Sequence, residues 1–168
     1  MNDTLLNKIK NIERNPSDEK ILTDEGLEAT FTFNKGATEN GIAEADGFFK
    51  NNIPTEFIEF LKLYNGCILF NVDGIGGFQI FSDDKLVSEN KFQKLNFEDD
   101  WDDNVIIFCS CIGDGDYIGF RLLNDGYEII DCFGEEIPLN WLAIETSFDV
   151  FLEKLIDHKG GKYWLSTE

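Results

Sequence analysis

The hydrophobic positions of this chain change period along its length. Leu5, Ile9 and Ile12 recur at helical spacing, and Asn15-Pro16 closes that first helix. Asp18 to Gly26 is polar and reads as a loop. The run from Leu27 to Phe33 then alternates, with Leu27, Ala29, Phe31 and Phe33 on one side, which predicts a strand with one wet face. Thr38 suits the N-cap of a second helix reaching Phe49, with Ile42, Ala45 and Phe49 turned inward. The sharpest pattern lies between Ile53 and Gly66. Pro54 belongs in the first turn of a helix, where its missing N–H has no intrahelical partner to lose. Phe57, Phe60, Leu61 and Tyr64 follow at i, i+3, i+4 and i+7 and draw one apolar stripe, while Glu56, Glu59 and Lys62 take the other side. Asn65-Gly66 stops the helix, since both residues tolerate the left-handed conformation of a C-cap.

After Gly66 the period shortens. Cys67 to Phe70 and Gly77 to Phe81 read as strands, separated by Asp73-Gly74-Ile75-Gly76. That glycine loop is not a phosphate loop: no Lys-Ser or Lys-Thr follows, and the next element is a strand, so no helix N-terminus faces it. Ser82 to Asp103 is polar, anchored by Leu86, Phe92, Leu95 and Phe97, with room for a short helix. Val105 to Cys111 is a continuous apolar run, as in a strand buried on both faces. Gly113 to Asp116 is turn chemistry. Tyr117 to Leu122 and Tyr127 to Asp131 are joined by Asn124-Asp125-Gly126, a hairpin signal. Phe148, Phe151, Leu152, Leu155 and Ile156 then give a last helix from Phe148 to about His158, with Thr146 and Asp149 at capping-box spacing and Gly160-Gly161 at its end. Helices at both ends and clustered strands between them predict an α+β fold, a single mostly antiparallel β-sheet flanked by helices. The length predicts one domain over residues 1–168, and 16 phenylalanines predict an aromatic core.

Charge narrows the function classes. The chain carries 33 acids and 14 bases, a net charge of −19. Between Leu95 and Glu153 there are 15 acids and one base, Arg121. Such a field repels nucleic acid and anionic membranes and attracts basic partners. The first residues are broken by charge, unlike a secretory signal, and no apolar run approaches the ~20 residues of a spanning helix, so a cytoplasmic protein is expected. Cys67, Cys109, Cys111 and Cys132 lie in or beside apolar runs without a C-x-x-C, which predicts packed, reduced thiols rather than a zinc site. There is no G-x-S-x-G and no H-E-x-x-H, and the one histidine, His158, sits where it would cap carbonyls at the end of the last helix. Asp114 and Asp116 suit turn geometry better than a cation site, because no run of oxygen ligands surrounds them. No catalytic residue, metal or cofactor is expected.

An Ile-Pro before a short aromatic-rich helix, then Asn65-Gly66 and the strand from Cys67 to Phe70, resembles the signature of the SUKH superfamily of bacterial toxin-immunity proteins and fungal cell-wall-assembly regulators. Three other pieces fit in order. Gly36-Ala37-Thr38 with Ile42 and Glu44 resembles the family's first helix. Cys111 to Asp116 resembles its Gly-Asp turn. Ser147-Phe148 with Phe151-Leu152 resembles the start of its closing helix. The likeness spans roughly Gly36 to Asp157, leaving residues 1–35 as an N-terminal helix-and-strand extension. It implies a single antiparallel sheet flanked by helices. It also implies a non-catalytic protein that neutralises a polymorphic toxin, often a nuclease. The fungal type implies an interaction scaffold instead.

An acidic protein suits a basic nuclease toxin, because nucleases hold phosphates with basic surfaces and opposite charge speeds encounter. The candidate contact residues are Glu98, Asp99, Asp100, Trp101, Asp102 and Asp103, five carboxylates around one tryptophan, extended by Asp114, Asp116, Glu135 and Glu136 at turns of the same half. Trp101 has two roles open to it: folding into the core beneath a solvated acidic loop, or serving as the aromatic anchor of an interface. A divalent-cation-binding or hydrolytic enzyme built on the acidic cluster and a soluble acidic domain with no partner of note are the remaining alternatives.

Overall fold

A computed structural model describes residues 1–14 and 20–165. The Asn15-Pro16 stop and the start of the polar 18–26 stretch lie outside the described residues. The elements run α1 (Asp3–Glu13), β1 (Ile21–Leu22), β2 (Glu28–Phe33), α2 (Glu39–Phe48), α3 (Thr55–Leu63), β3 (Cys67–Val72), β4 (Gly76–Ile80), α4 (Asp83–Phe97), β5 (Val105–Cys111), β6 (Tyr117–Leu122), β7 (Tyr127–Cys132), β8 (Leu142–Glu145) and α5 (Phe148–Asp157). Among the described residues the eight strands form one sheet in chain order, every neighbouring pair antiparallel. This is the α+β fold with flanking helices that the patterning predicts.

The α3 stripe organises the core. Phe57, Phe60 and Leu61 are fully buried and Tyr64 nearly so. The Phe57 ring lies 5.6 Å from Phe108 of β5, 5.5 Å from Phe120 of β6 and 5.3 Å from Phe148 of α5. Phe108 stacks on Phe120 at 4.2 Å. Because β6 alternates, Tyr117 and Phe120 point to opposite faces of the sheet. Phe120 meets α3 and α5, while the Tyr117 hydroxyl donates to Glu89 of α4 at 3.0 Å. The sheet therefore carries α3 and α5 on one face and α4 on the other.

Several local readings shift. Pro54 stands one position earlier than expected, as the N-cap of α3, with its carbonyl accepting from the Phe57 and Ile58 amides. Of Asn65-Gly66, only Gly66 takes the left-handed conformation (φ 79°); Asn65 turns its amide to the start of α4. A Cβ at Gly66 would sit 2.8 Å from the Ser82 nitrogen, and one at Gly36 would sit 2.0 Å from the Lys62 carbonyl oxygen. Backbone contact thus requires glycine at both positions, one against the end of α3 and the other against the start of α4. Ser147, not Thr146, caps α5, and Asp149 accepts from the Asn2 amide at 2.7 Å rather than closing a capping box. His158 caps with its backbone N–H; its ring stacks on Tyr163 instead of reaching carbonyls. Leu27 precedes β2 and is exposed. β1 and β8 were not predicted: one has two residues, and the other shows only a short apolar cluster at the sheet edge. All four cysteines are buried and unbridged. No helix of the described residues is long and apolar enough to cross a membrane.

Candidate protein-binding face

The polar stretch expected to hold a short helix forms α4, at 15 residues the longest of the described helices. Ser82 caps it, and the Asn65 carboxamide oxygen accepts from the Asp83 amide at 2.8 Å. Its buried stripe is Leu86, Asn90 and Gln93, at i, i+4 and i+7. Two of these three are polar, so hydrophobic periodicity misses the helix. The Asn90 side chain replaces a strand partner. Its oxygen accepts from the Ile107 amide at 2.8 Å, and its nitrogen donates to the Ile107 carbonyl at 2.7 Å and to Leu86 at 2.8 Å. Gln93 donates to Glu89 at 3.0 Å, the same carboxylate that accepts from Tyr117. Burial first, and then that carboxylate, push the Tyr117 phenol up to about 12.

α4 ends at Glu98, which holds a positive φ of 49° where a side chain is strained. The chain then makes a 3₁₀ turn through Glu98, Asp99 and Asp100, all exposed and without an ion pair among the described residues. Asp103 pairs with Lys94, whose hydrogen bond holds the Asp103 carboxyl below its usual range. Asp102 accepts from the Asn104 amide at 2.9 Å and shapes the entry to β5.

Trp101 is half-buried, its ring 6.3 Å from Phe97 and 6.5 Å from Trp141. Trp141 is buried, and its indole N–H donates to the carbonyls of Phe133 and Glu136 at 3.1 Å. It thereby fixes the exposed loop that carries Glu135 and Glu136. The Gly134 amide of that loop donates to Asp116 at 2.9 Å. Three acidic segments distant in sequence are joined in this way, through an aromatic trio and backbone hydrogen bonds. Between them and α4 lies a groove of about 430 Å³ bordered by Phe92, Phe97, Tyr117, Gly134 and Trp141. Phe92, which borders the groove, stands 55% exposed.

Asp116 is turned inward. It is 7% exposed and, with Asp114, holds the Lys162 ammonium at 2.7 Å. Burial alone would lower the Lys162 pKa, but the hydrogen bonds to Asp114 and Asp116 outweigh it and raise it. Glu98, Asp99, Asp100, Asp103, Asp114, Glu135 and Glu136 face solvent, while Asp102 is half-buried like Trp101. Sequence reasoning missed Trp141, Asn90 and Lys162. Trp141 lies in a turn with no periodicity, and Lys162 is 46 residues from the Asp116 it neutralises.

Comparison with known families places this geometry. The chain matches the sequence model of the SMI1 / KNR4 family (SUKH-1) over residues 36–154, and it belongs to that family. The match begins at the glycine pressed against α3 and ends in α5, in agreement with the resemblance read from the sequence. No curated protein matches the chain.

Proposed function

We propose that this protein is a non-catalytic immunity protein that binds a basic toxin domain, of the nuclease type, and neutralises it by covering its surface. The observation that carries the reading is the convergence of acidic segments 98–103, 114 and 135–136 around an apolar groove. The exposed carboxylates of Glu98, Asp99, Asp100, Glu135 and Glu136, none in an ion pair among the described residues, beside exposed Phe92 have the anatomy of a protein interface, an apolar centre within a charged border. Family membership supports a protein partner.

The two kinds of residue make separable demands on binding. Asp99→Lys with Asp100→Lys should slow association with a basic toxin domain and flatten its salt dependence, because those carboxylates act at long range. Trp101→Ala mainly speeds dissociation, because an aromatic anchor acts in contact. Surface plasmon resonance reads both, with thermal melts showing that the variants remain folded. Co-expression with the toxin then shows lost protection. Full protection by both variants would move the interface elsewhere. A neighbouring gene product that neither harms cells nor binds would replace the immunity reading with the scaffold one.

A further inference from the structure

α4 divides two clefts. On the side away from the groove described above, between α4, the end of α2 and the start of β5, lies a larger cleft of about 700 Å³. Its apolar walls are Phe48, Phe49 and Trp101, and its rim carries Lys50, Lys91 and Lys94. Asp103 is the one carboxylate among the lining residues, and Lys94 neutralises it. The balance of charge is thus inverted: three bases to one acid here, against 14 to 33 in the whole chain. Lys91 lies over the Phe48 ring at 5.0 Å, so the cation and the aromatic wall form one surface. Lys50 is presented from a left-handed turn (φ 57°) closed by the Lys50 and Asn51 amides on Gly47 and Asp46. Neither Lys50 nor Lys91 forms an ion pair among the described residues.

We propose that this cleft binds a small amphipathic organic anion, with an aromatic body against Phe48, Phe49 and Trp101 and an acidic headgroup at Lys50 and Lys91. The volume falls within the ~300–1,000 Å³ of small-molecule sites, and an apolar lining with a few charged groups at one end is their usual composition. The chain's overall charge repels anions, so any anion held with stoichiometry must be held by a local exception to that charge. The site shares Trp101 and Asp103 with the acidic segment 98–103, but it takes its anion at Lys50 and Lys91, which lie outside that segment.

The test uses 8-anilinonaphthalene-1-sulfonate as the probe and N-phenyl-1-naphthylamine, its uncharged skeleton, as the control, by fluorescence titration and calorimetry on the intact protein. The expected result is one site for the sulfonate, with the neutral control bound more weakly. Lys50→Glu with Lys91→Glu should weaken the sulfonate about tenfold, the effect of reversing two exposed charge contacts, and leave the neutral control unchanged. Phe92→Ser, on the other side of α4, should leave the sulfonate site intact. Both lysines are exposed, and circular dichroism melts verify the fold of the variants. Equal binding of the two probes, a change under twofold in the double-lysine variant, or loss of binding in Phe92→Ser would overturn the proposal. So would displacement of the probe by the toxin domain but by no small aromatic carboxylate or phosphate ester, which would make the cleft part of the protein interface.

Discussion

On the side of the sheet that carries α3 and α5, the rings of Phe57, Phe60, Phe108, Phe120, Phe148 and Phe151 pack together with no exposed surface. On the opposite side, α4 buries Leu86 and is tied to the same strands by the hydrogen bonds of Asn90 to Ile107 and of Tyr117 to Glu89. The first contact is non-directional and scales with buried area; the second depends on a few hydrogen bonds at fixed angles. A ring packed among rings can be exchanged for another shape at moderate cost. An amide paired with both backbone groups of one residue allows a single register of helix on strand. The functional candidates cluster on the hydrogen-bonded side, where α4 hands the chain to the acidic turn.

The largest effect should come from the aromatic side. Phe60→Ala empties a fully buried site and should destabilise by about 3–5 kcal/mol in a urea melt. A change below about 1 kcal/mol would mean that the stripe is not the core. Asn90 sharpens the contrast. Asn90→Ala strands the Ile107 N–H and carbonyl in the interior and should cost about 2–4 kcal/mol, since each unsatisfied buried group costs roughly 1–3. Asn90→Leu is the sharper variant, because it keeps the branched shape of the side chain and adds apolar surface. If Leu at position 90 stabilises the protein, α4 is held by burial like α3, and the two sides do not differ in kind.

Lys162 tests the same idea at the turn between β5 and β6. Lys162→Met leaves Asp116 buried without its cation and should cost about 1–3 kcal/mol, the range for a buried group that loses its partner. The sign of its pH dependence follows from the raised folded pKa. A base whose folded pKa exceeds its unfolded value contributes stability that is complete below the unfolded value, about 10.4, and is lost as pH rises through the folded one. The gap between the native protein and Lys162→Met should therefore stay constant across neutral pH and narrow only above about pH 10.5. A gap that closes between pH 6 and 8 in paired chemical melts would refute this assignment.

The same division decides what was legible in the sequence. The longer elements whose inward residues are apolar could be read from spacing: the α3 stripe, the alternation of β2, the continuous run of β5 and the face of α5. α4 could not be read as a long helix, because Asn90 and Gln93 occupy positions where periodicity looks for leucine. Of the candidate face, the acidic clusters were visible as composition. Their convergence was not, because it depends on Trp141 bonding to the carbonyls of Phe133 and Glu136 and on Gly134 bonding to Asp116. Asp114 and Asp116 look alike in sequence, yet one faces solvent and the other is buried on Lys162.

The smallest expected effect has the opposite sign. Glu98 terminates α4 at φ 49° and ψ −117°, a conformation that glycine adopts freely and a side chain does not. Strain of this kind costs about 1–3 kcal/mol, part of which glycine returns as lost chain restriction in the unfolded state. Glu98→Gly should therefore stabilise the protein by a net of about 1 kcal/mol, read as a rise in urea midpoint with unchanged slope. The same substitution removes one exposed carboxylate from the turn that bears Asp99, Asp100 and Trp101. If the strained turn exists to present that edge, the variant should gain stability while it loses association rate with the basic partner proposed above. A variant that is both more stable and equally fast would place Glu98 outside the binding edge and shift the steering to Asp99 and Asp100. A variant that is less stable would mean that Glu98 makes a favourable contact outweighing its backbone strain. The acidic turn would then be held like the aromatic side, by contacts that lower its energy.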